Sequence, residues 1–209
     1  MVETVSRTDD IAAAGVSIED YLARYAAGFF EWVKGDVIKM APISARHDDL
    51  AGYLRELFRA YFALNPIGRV KSAPFVMRVD AVEIAREPDL QIILDRNPGD
   101  LTDTAMMGPA DICVEIVSPE SVGRDHGTKL EEYEKAGVGE YWIIDPIRKE
   151  CRFYQLQASG IYAVVHPDTE GHYGTPKLPR LALHVPTLWQ DELPDIFAVA
   201  QAVRAMIQQ

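Results

Sequence analysis

The stretch from Asp111 to Asp145 constrains the fold more than any other part of the chain. The run Asp111-Ile112-Cys113-Val114-Glu115-Ile116-Val117-Ser118 is β-branched and apolar except for one glutamate. A helical pattern over Asp125 to Ala136 follows, closed by Gly137, and then the apolar run Glu140-Tyr141-Trp142-Ile143-Ile144-Asp145. Strand, helix and strand in succession predict a parallel crossover. The flanking runs look antiparallel, so the expected class is mixed α/β.

Around that unit, Ser17-Ile18-Glu19-Asp20 sets an acid three residues after a capping hydroxyl. It predicts a helix through Tyr21, Leu22 and Tyr25 that stops at Gly28. Residues 29–42 alternate in two short segments around Lys34-Gly35-Asp36, a hairpin pattern. Ser44 opens a second helix with Leu50, Tyr53, Leu54, Leu57, Phe58 and Tyr61 on one face, ended by Asn65-Pro66. Residues 70–80, 88–94, 151–157 and 161–167 read as strands, 95–110 as a Pro/Gly/Asp-rich loop, and 191–207 as a terminal helix. Residues 1–16 look loose, which leaves 17–209 as a single domain.

Composition narrows the function classes. At 48% hydrophobic and 25% charged residues the chain is globular rather than disordered. No apolar run approaches the ~18 residues of a membrane span, and MVETVSRTDD lacks the apolar centre of a secretory signal. A cytoplasmic protein is expected. With 21 basic against 32 acidic residues, the net charge of −11 argues against a protein that coats nucleic acid. It leaves room for an enzyme with one local basic channel and a carboxylate-rich metal site. Cys113 and Cys151 lie in apolar runs without a CxxC, so small buried hydrophobes are expected rather than a disulfide or zinc site. The five histidines (His47, His126, His166, His172 and His184) form no HExxH, and GxSxG and Walker-type loops are missing.

Carboxylate placement is the informative chemistry. Asp89 opens the run Pro88-Asp89-Leu90-Gln91-Ile92-Ile93-Leu94, and Glu115 sits inside its strand. An ionised carboxylate resists desolvation unless something pairs with it. A salt bridge is the ordinary answer for Glu115 alone, and solvent the ordinary answer for Asp89 alone. Two acids on neighbouring strands would raise each other's pKa unless a cation compensates. A hard divalent ion such as Mg²⁺, held by one or two carboxylates, waters and substrate phosphate, supplies that charge. Glu31, within Phe29-Phe30-Glu31-Trp32-Val33, is a third acid that completes such a site or lies on an exposed strand face. Asp125, Lys129 and Tyr133 fall at i, i+4 and i+8, one helix stripe beginning beside the carboxyl end of the Glu115 strand. Its bland reading is a surface ion pair.

The series EWVKGDVIKMAP, EPDL, ICVEIVSPES and RDHGTKLEEYEKAGVGEYWIIDP resembles the Uma-type restriction endonuclease family, over about residues 17–190. That family is similar to the PD-(D/E)XK nucleases. The resemblance implies a restriction-endonuclease-like central mixed sheet flanked by helices, with Pro88-Asp89 as the "PD" and Glu115 as the second acid. The superfamily lysine would stand two residues after Glu115, where this chain has Val117. The resemblance then suggests Lys129 as a migrated lysine and Glu31 as a further metal ligand, with Asp125 and Ser118 also on the motif.

The expected activity is therefore hydrolysis of DNA phosphodiester bonds with Mg²⁺ or Mn²⁺. Asp89, Glu115 and Glu31 would hold the ion, with the Ile116 carbonyl as a backbone ligand. Lys129 would orient the attacking water, and Tyr133 would pack beneath it. A homodimer is expected from duplex cleavage, from the exposed-looking aromatics Tyr141 and Trp142 and from an apolar C-terminal helix. The rivals are a catalytically inactive nuclease fold that binds DNA or protein, and an assembly protein using Tyr141, Trp142 and the terminal helix.

Overall fold

The computed structural model describes residues 11–26, 28–119 and 121–208. Its first half runs β1 (Ile11–Ala13), α1 (Ile18–Arg24), β2 (Phe30–Val33), β3 (Asp36–Lys39), α2 (Ala45–Leu64), β4 (Gly68–Ser72), β5 (Val76–Val79), β6 (Ile84–Arg86) and β7 (Leu90–Leu94). The second half runs β8 (Asp100–Leu101), β9 (Ala105–Met107), β10 (Ile112–Ile116), α3 (Lys129–Ala136), β11 (Glu140–Asp145), β12 (Glu150–Leu156) and β13 (Tyr162–Val165). It ends with β14 (His172–Gly174), β15 (Ala182–His184) and α4 (Ile196–Gln208). These form a six-stranded sheet in the order β13-β12-β11-β10-β7-β4 and a seven-stranded sheet in the order β1-β3-β2-β6-β5-β9-β8. The fold is mixed α+β, large mixed sheets flanked by helices.

The crossover forms as the 111–145 pattern predicts. β10 pairs parallel with β11 and antiparallel with β7, and β11 pairs antiparallel with β12. The period-two alternation of a strand then divides β10 between two cores. Ile112, Val114 and Ile116 join Leu50, Leu54 and Phe58 of α2 and Val199 and Val203 of α4. Cys113 and Val117 join a second cluster with Met77, Ile84, Tyr133 and Tyr141 on the opposite face. Glu115 follows the parity of Cys113 and Val117, so it points into the space between the two sheets.

Local signals in the sequence map onto these elements. Ser17 and Ser44 cap α1 and α2, accepting from the N–H groups of Asp20 and His47. Lys34 and Gly35 both take positive φ in the two-residue β2–β3 turn, the geometry a tight hairpin requires. The expected loose segment fails at its inner end. Ile11–Ala13 is a strand on β3, and Trp32 donates from Nε1 to the Val16 carbonyl at 2.8 Å. Residues 1–10 lie outside the described residues. The 70–80 strand is two strands in different sheets, broken by a turn closed from Phe75 N–H to Ser72 O at 3.1 Å. The 95–110 loop contains β8 and β9, because Ala105 and Met106 are buried beside β5. The terminal helix starts at Ile196 rather than 191, after Asp195 accepts from the N–H groups of Phe197 and Ala198.

Candidate active site

A cluster of charged groups fills the space into which Glu115 points. Lys129 Nζ lies 3.0 Å from Glu115 Oε1, 3.5 Å from Glu31 Oε1 and 3.6 Å from Asp125 Oδ1. Tyr133 donates its hydroxyl to Glu115 Oε1 at 2.7 Å. Glu31 comes from β2 in the other sheet, and its Oε2 accepts from Arg86 Nη1 at 2.5 Å. Arg86 also donates to Glu132 Oε2, and Glu87 N–H reaches Glu31 Oε1 at 3.2 Å. Asp89, one residue before β7, accepts from Ile116 N–H at 2.7 Å through Oδ2. Its Oδ1 meets His47 Nε2 at 3.1 Å.

The helix that carries Lys129 enters through a π-type turn over Arg124–Thr128. In it Asp125 accepts from Ser121 Oγ at 2.5 Å, and Tyr141 donates to the Asp125 carbonyl at 3.0 Å. This wide turn, a feature often found at functional sites, sets the first turn of α3 against β10. A cavity of about 410 Å³ opens on the cluster, lined among others by His47, Glu87, Asp89, Glu115, Asp125 and Lys129.

The electrostatics show a deficit of positive charge. Burial raises the Glu115 carboxyl to about 8, with Asp89, Asp125 and Glu31 adding to the effect and Lys129 opposing it. Burial likewise raises Glu87 to about 8, beside Glu31. Asp125 is raised by burial against the pull of Lys129 and Ser121. Glu31 is the exception. Burial works against its charge, yet Lys129 and Arg86 hold it well below the usual carboxylate range. Burial also disfavours the Lys129 ammonium, but Glu115, Glu31 and Asp125 keep it protonated. His47 loses by burial and gains more from Asp89, so its pKa rises. The oxygen Asp125 Oδ1 is buried without a hydrogen bond.

The structure thus brings Glu31, Glu115, Asp125 and Lys129 into one cluster, with Asp89 at its edge beside β10. Three sequence expectations change. Asp125–Lys129 is not a surface pair, because both side chains are 2% exposed. Tyr133 hydrogen-bonds Glu115 instead of only packing under Lys129. Tyr141 and Trp142 are buried in the two cores because β11 lies inside the sheet, so they offer no contact surface. Val117, two residues after Glu115, is packed in the core at 1% exposure. Cys113 and Cys151 are free thiols, and burial pushes both upward.

Sequence reasoning missed His47, Arg86, Glu87 and Glu132. His47 had a visible signal, since it lies on the same α2 stripe as Leu50, Leu54, Phe58 and Tyr61. A polar residue heading an apolar stripe is buried and needs a partner.

The sequence model of the Uma2 family, described as "Putative restriction endonuclease", matches residues 18–186. Among solved structures the chain is similar to a "putative nuclease belonging to DUF820" from Anabaena variabilis ATCC 29413, with a TM-score of 0.64 and 17% identity. That match covers 77% of this chain and 89% of the other, and at this identity the likeness is one of fold. No curated protein matches the chain.

Proposed function

The chain belongs to the Uma2 restriction endonuclease family, and from that premise we propose that it is a metal-dependent endonuclease hydrolysing DNA phosphodiester bonds. The observation that carries this reading is Glu115, a buried acid crowded by other acids and touched by Lys129 at the wall of a cavity. The donor set fits a hard divalent ion, since Asp89 and Glu115 supply oxygens from neighbouring strands where positive charge is short. Among the described residues no group of three His, Cys, Asp or Glu side chains is assembled around a metal position. Two carboxylates, waters and substrate phosphate are the usual complement for Mg²⁺. When bound there, Mg²⁺ or Mn²⁺ would polarise the phosphate and acidify a water.

The chain's own residues do the positioning. Ile116 N–H and His47 fix the two oxygens of Asp89. The Tyr133 hydroxyl orients Glu115. Glu31 already holds Arg86, Lys129 and the Glu87 N–H, so in this reading it aims Lys129 and is not a metal ligand. Lys129, kept protonated, presents an ammonium to the cavity, where it orients the water and offsets charge developing on phosphorus.

Cleavage of both strands of a duplex would call for a symmetric homodimer in the cytoplasm, with exposed Ile196 and Phe197 of α4 as contact residues. A monomeric mass by light scattering, with cleavage retained, contradicts the dimer. Among the described residues no helix is long and apolar enough to cross a membrane.

Single-turnover cleavage of end-labelled duplex DNA with Mn²⁺ tests the activity. The wild type should cut, and Glu115→Gln should be slower by about 10²-fold or more, the scale expected for losing one transition-state contact. Equal rates for the two proteins, or no cleavage by the wild type, would leave the fold as a binding module.

A further inference from the structure

A second groove lies between the outward face of α2 and the edge strand β4. Arg55 and Arg59 stand at i and i+4 on α2, about 6 Å apart along the helix axis. Arg69 and Lys71 stand at i and i+2 on β4, about 6.6 Å apart along the strand. The four cations line a groove of about 560 Å³ together with Ser72, Phe75 and apolar neighbours, and no acid is among its lining residues. Arg55 and Ser72 also line the cavity beside Glu115, so groove and cavity share a wall.

The partners of these cations leave charge to spare. Arg55 and Arg59 are exposed, and among the described residues neither has an ion-pair partner. Arg69 meets Asp95 at 3.6 Å, but both side chains are more than half exposed and the pair is weak. Lys71 Nζ lies 4.8 Å from the Phe75 ring centroid. On a chain of net charge −11, four cations and an aromatic ring lining one groove suit a polyanion with a repeating charge and stackable groups.

We propose that this groove holds the sugar–phosphate backbone of a DNA strand and leads it into the cavity. The delivery of that strand to Asp89 and Glu115 rests on the nuclease reading, whereas its binding does not. The competing explanation is that Arg69 and Lys71 merely guard an open sheet edge against pairing with other chains.

The test is fluorescence anisotropy of a labelled duplex of about 20 base pairs, without divalent ions, from about 50 to 200 mM salt. The triple variant Arg59→Ala/Arg69→Ala/Lys71→Ala, which spares Arg55 in the cavity wall, should bind more than tenfold more weakly at the lowest salt. Its slope of log K against log salt should flatten by roughly 0.9 for each lost phosphate contact. Equal charge loss elsewhere, in Arg24→Ala/Lys135→Ala/Arg204→Ala, should change binding far less. Hydrolysis of the small diester thymidine p-nitrophenyl phosphate with Mn²⁺ should be the same in the wild type and the groove variant. If the wild type does not bind the duplex, if the groove variant keeps its affinity and salt slope, or if the control variant loses as much, the proposal is overturned. Binding that depends on the groove in a protein without diesterase activity would uphold the groove and sink the nuclease reading. Diesterase activity with groove-independent binding would do the reverse.

Discussion

Glu115 on β10 and Glu140 on β11 are both buried glutamates on adjacent parallel strands, yet their surroundings are opposite. Glu140 accepts from Trp142 Nε1 at 2.9 Å, from the Tyr173 hydroxyl at 3.0 Å and from the Thr175 hydroxyl. These are neutral donors, and they tie β11 to the β14–β15 hairpin beside the aromatic core of Trp142, Phe153 and Tyr173. Glu115 instead shares a single lysine with Glu31 and Asp125 and borders a cavity. A buried acid saturated by neutral donors serves the fold. One left among other acids at a cavity wall is unfavourable to folding and suits a cation-binding role.

Substitutions should separate the two regions. The largest effect is expected for Lys129→Met, which removes the one ammonium shared by three buried acids. Cleavage should fall by about 10²–10³-fold. Stability should fall as well, by as much as about 3–5 kcal/mol, because a broken buried pair leaves charge uncompensated. Glu115 and Asp125 can take up protons at low pH, so that cost should grow from pH 5 to pH 8 in chemical denaturation. Adding Val117→Lys should return part of the cleavage, since residues 115 and 117 share a strand face. Cleavage by Lys129→Met at the wild-type rate would show that the ammonium only compensates charge.

Next in size is Glu140→Gln. Its amide group would confront three donors, costing about 1–3 kcal/mol for unsatisfied partners, while the rate of the folded fraction should not change. A large loss of cleavage without loss of stability would reverse the roles assigned to the two glutamates.

The smallest effect is a pH dependence. Glu115 and Glu87 have folded pKa values near 8, above their ordinary value near 4.5. Such groups stabilise the fold fully below about 4.5 and lose that contribution as pH rises through about 8. The raised Asp125 and His47 act in the same direction. The metal-free protein should therefore melt several degrees lower at pH 8.5 than at pH 5.5, where about 1 kcal/mol corresponds to 2–4 °C in a chain of this size. Glu115→Gln should flatten the profile and match or exceed the wild type at pH 8.5. A melting temperature that climbs across this window would contradict the charge deficit.

Much of this site is legible in the sequence for physical reasons. An acid inside an apolar strand stands out because burial is costly, and i, i+4 spacing places Asp125 and Lys129 on one stripe. The depth of that stripe is not legible, since a polar helix face reads the same whether it meets water or two other acids. Arg86 and Glu132 escape notice because the partners that bury them, Glu31 and each other, are 46–55 positions away in the chain. The strands β8, β9, β14 and β15 span two or three residues, too few to show a period. Tyr141 and Trp142 look exposed only if β11 is taken for an edge, and strand order is a property of pairing across the sheet.

The central claim is that Asp89 and Glu115 form a divalent-cation site in a space short of positive charge. Titration calorimetry with Mn²⁺, on the wild type and on Glu115→Gln at pH 6 and pH 8, tests it most directly. The wild type should bind one ion per chain, more tightly at pH 8 because Glu115 must lose its proton to act as a ligand. Glu115→Gln should bind more than tenfold more weakly and lose the pH dependence. No heat at millimolar Mn²⁺, or equal affinity in the two proteins, would contradict the account.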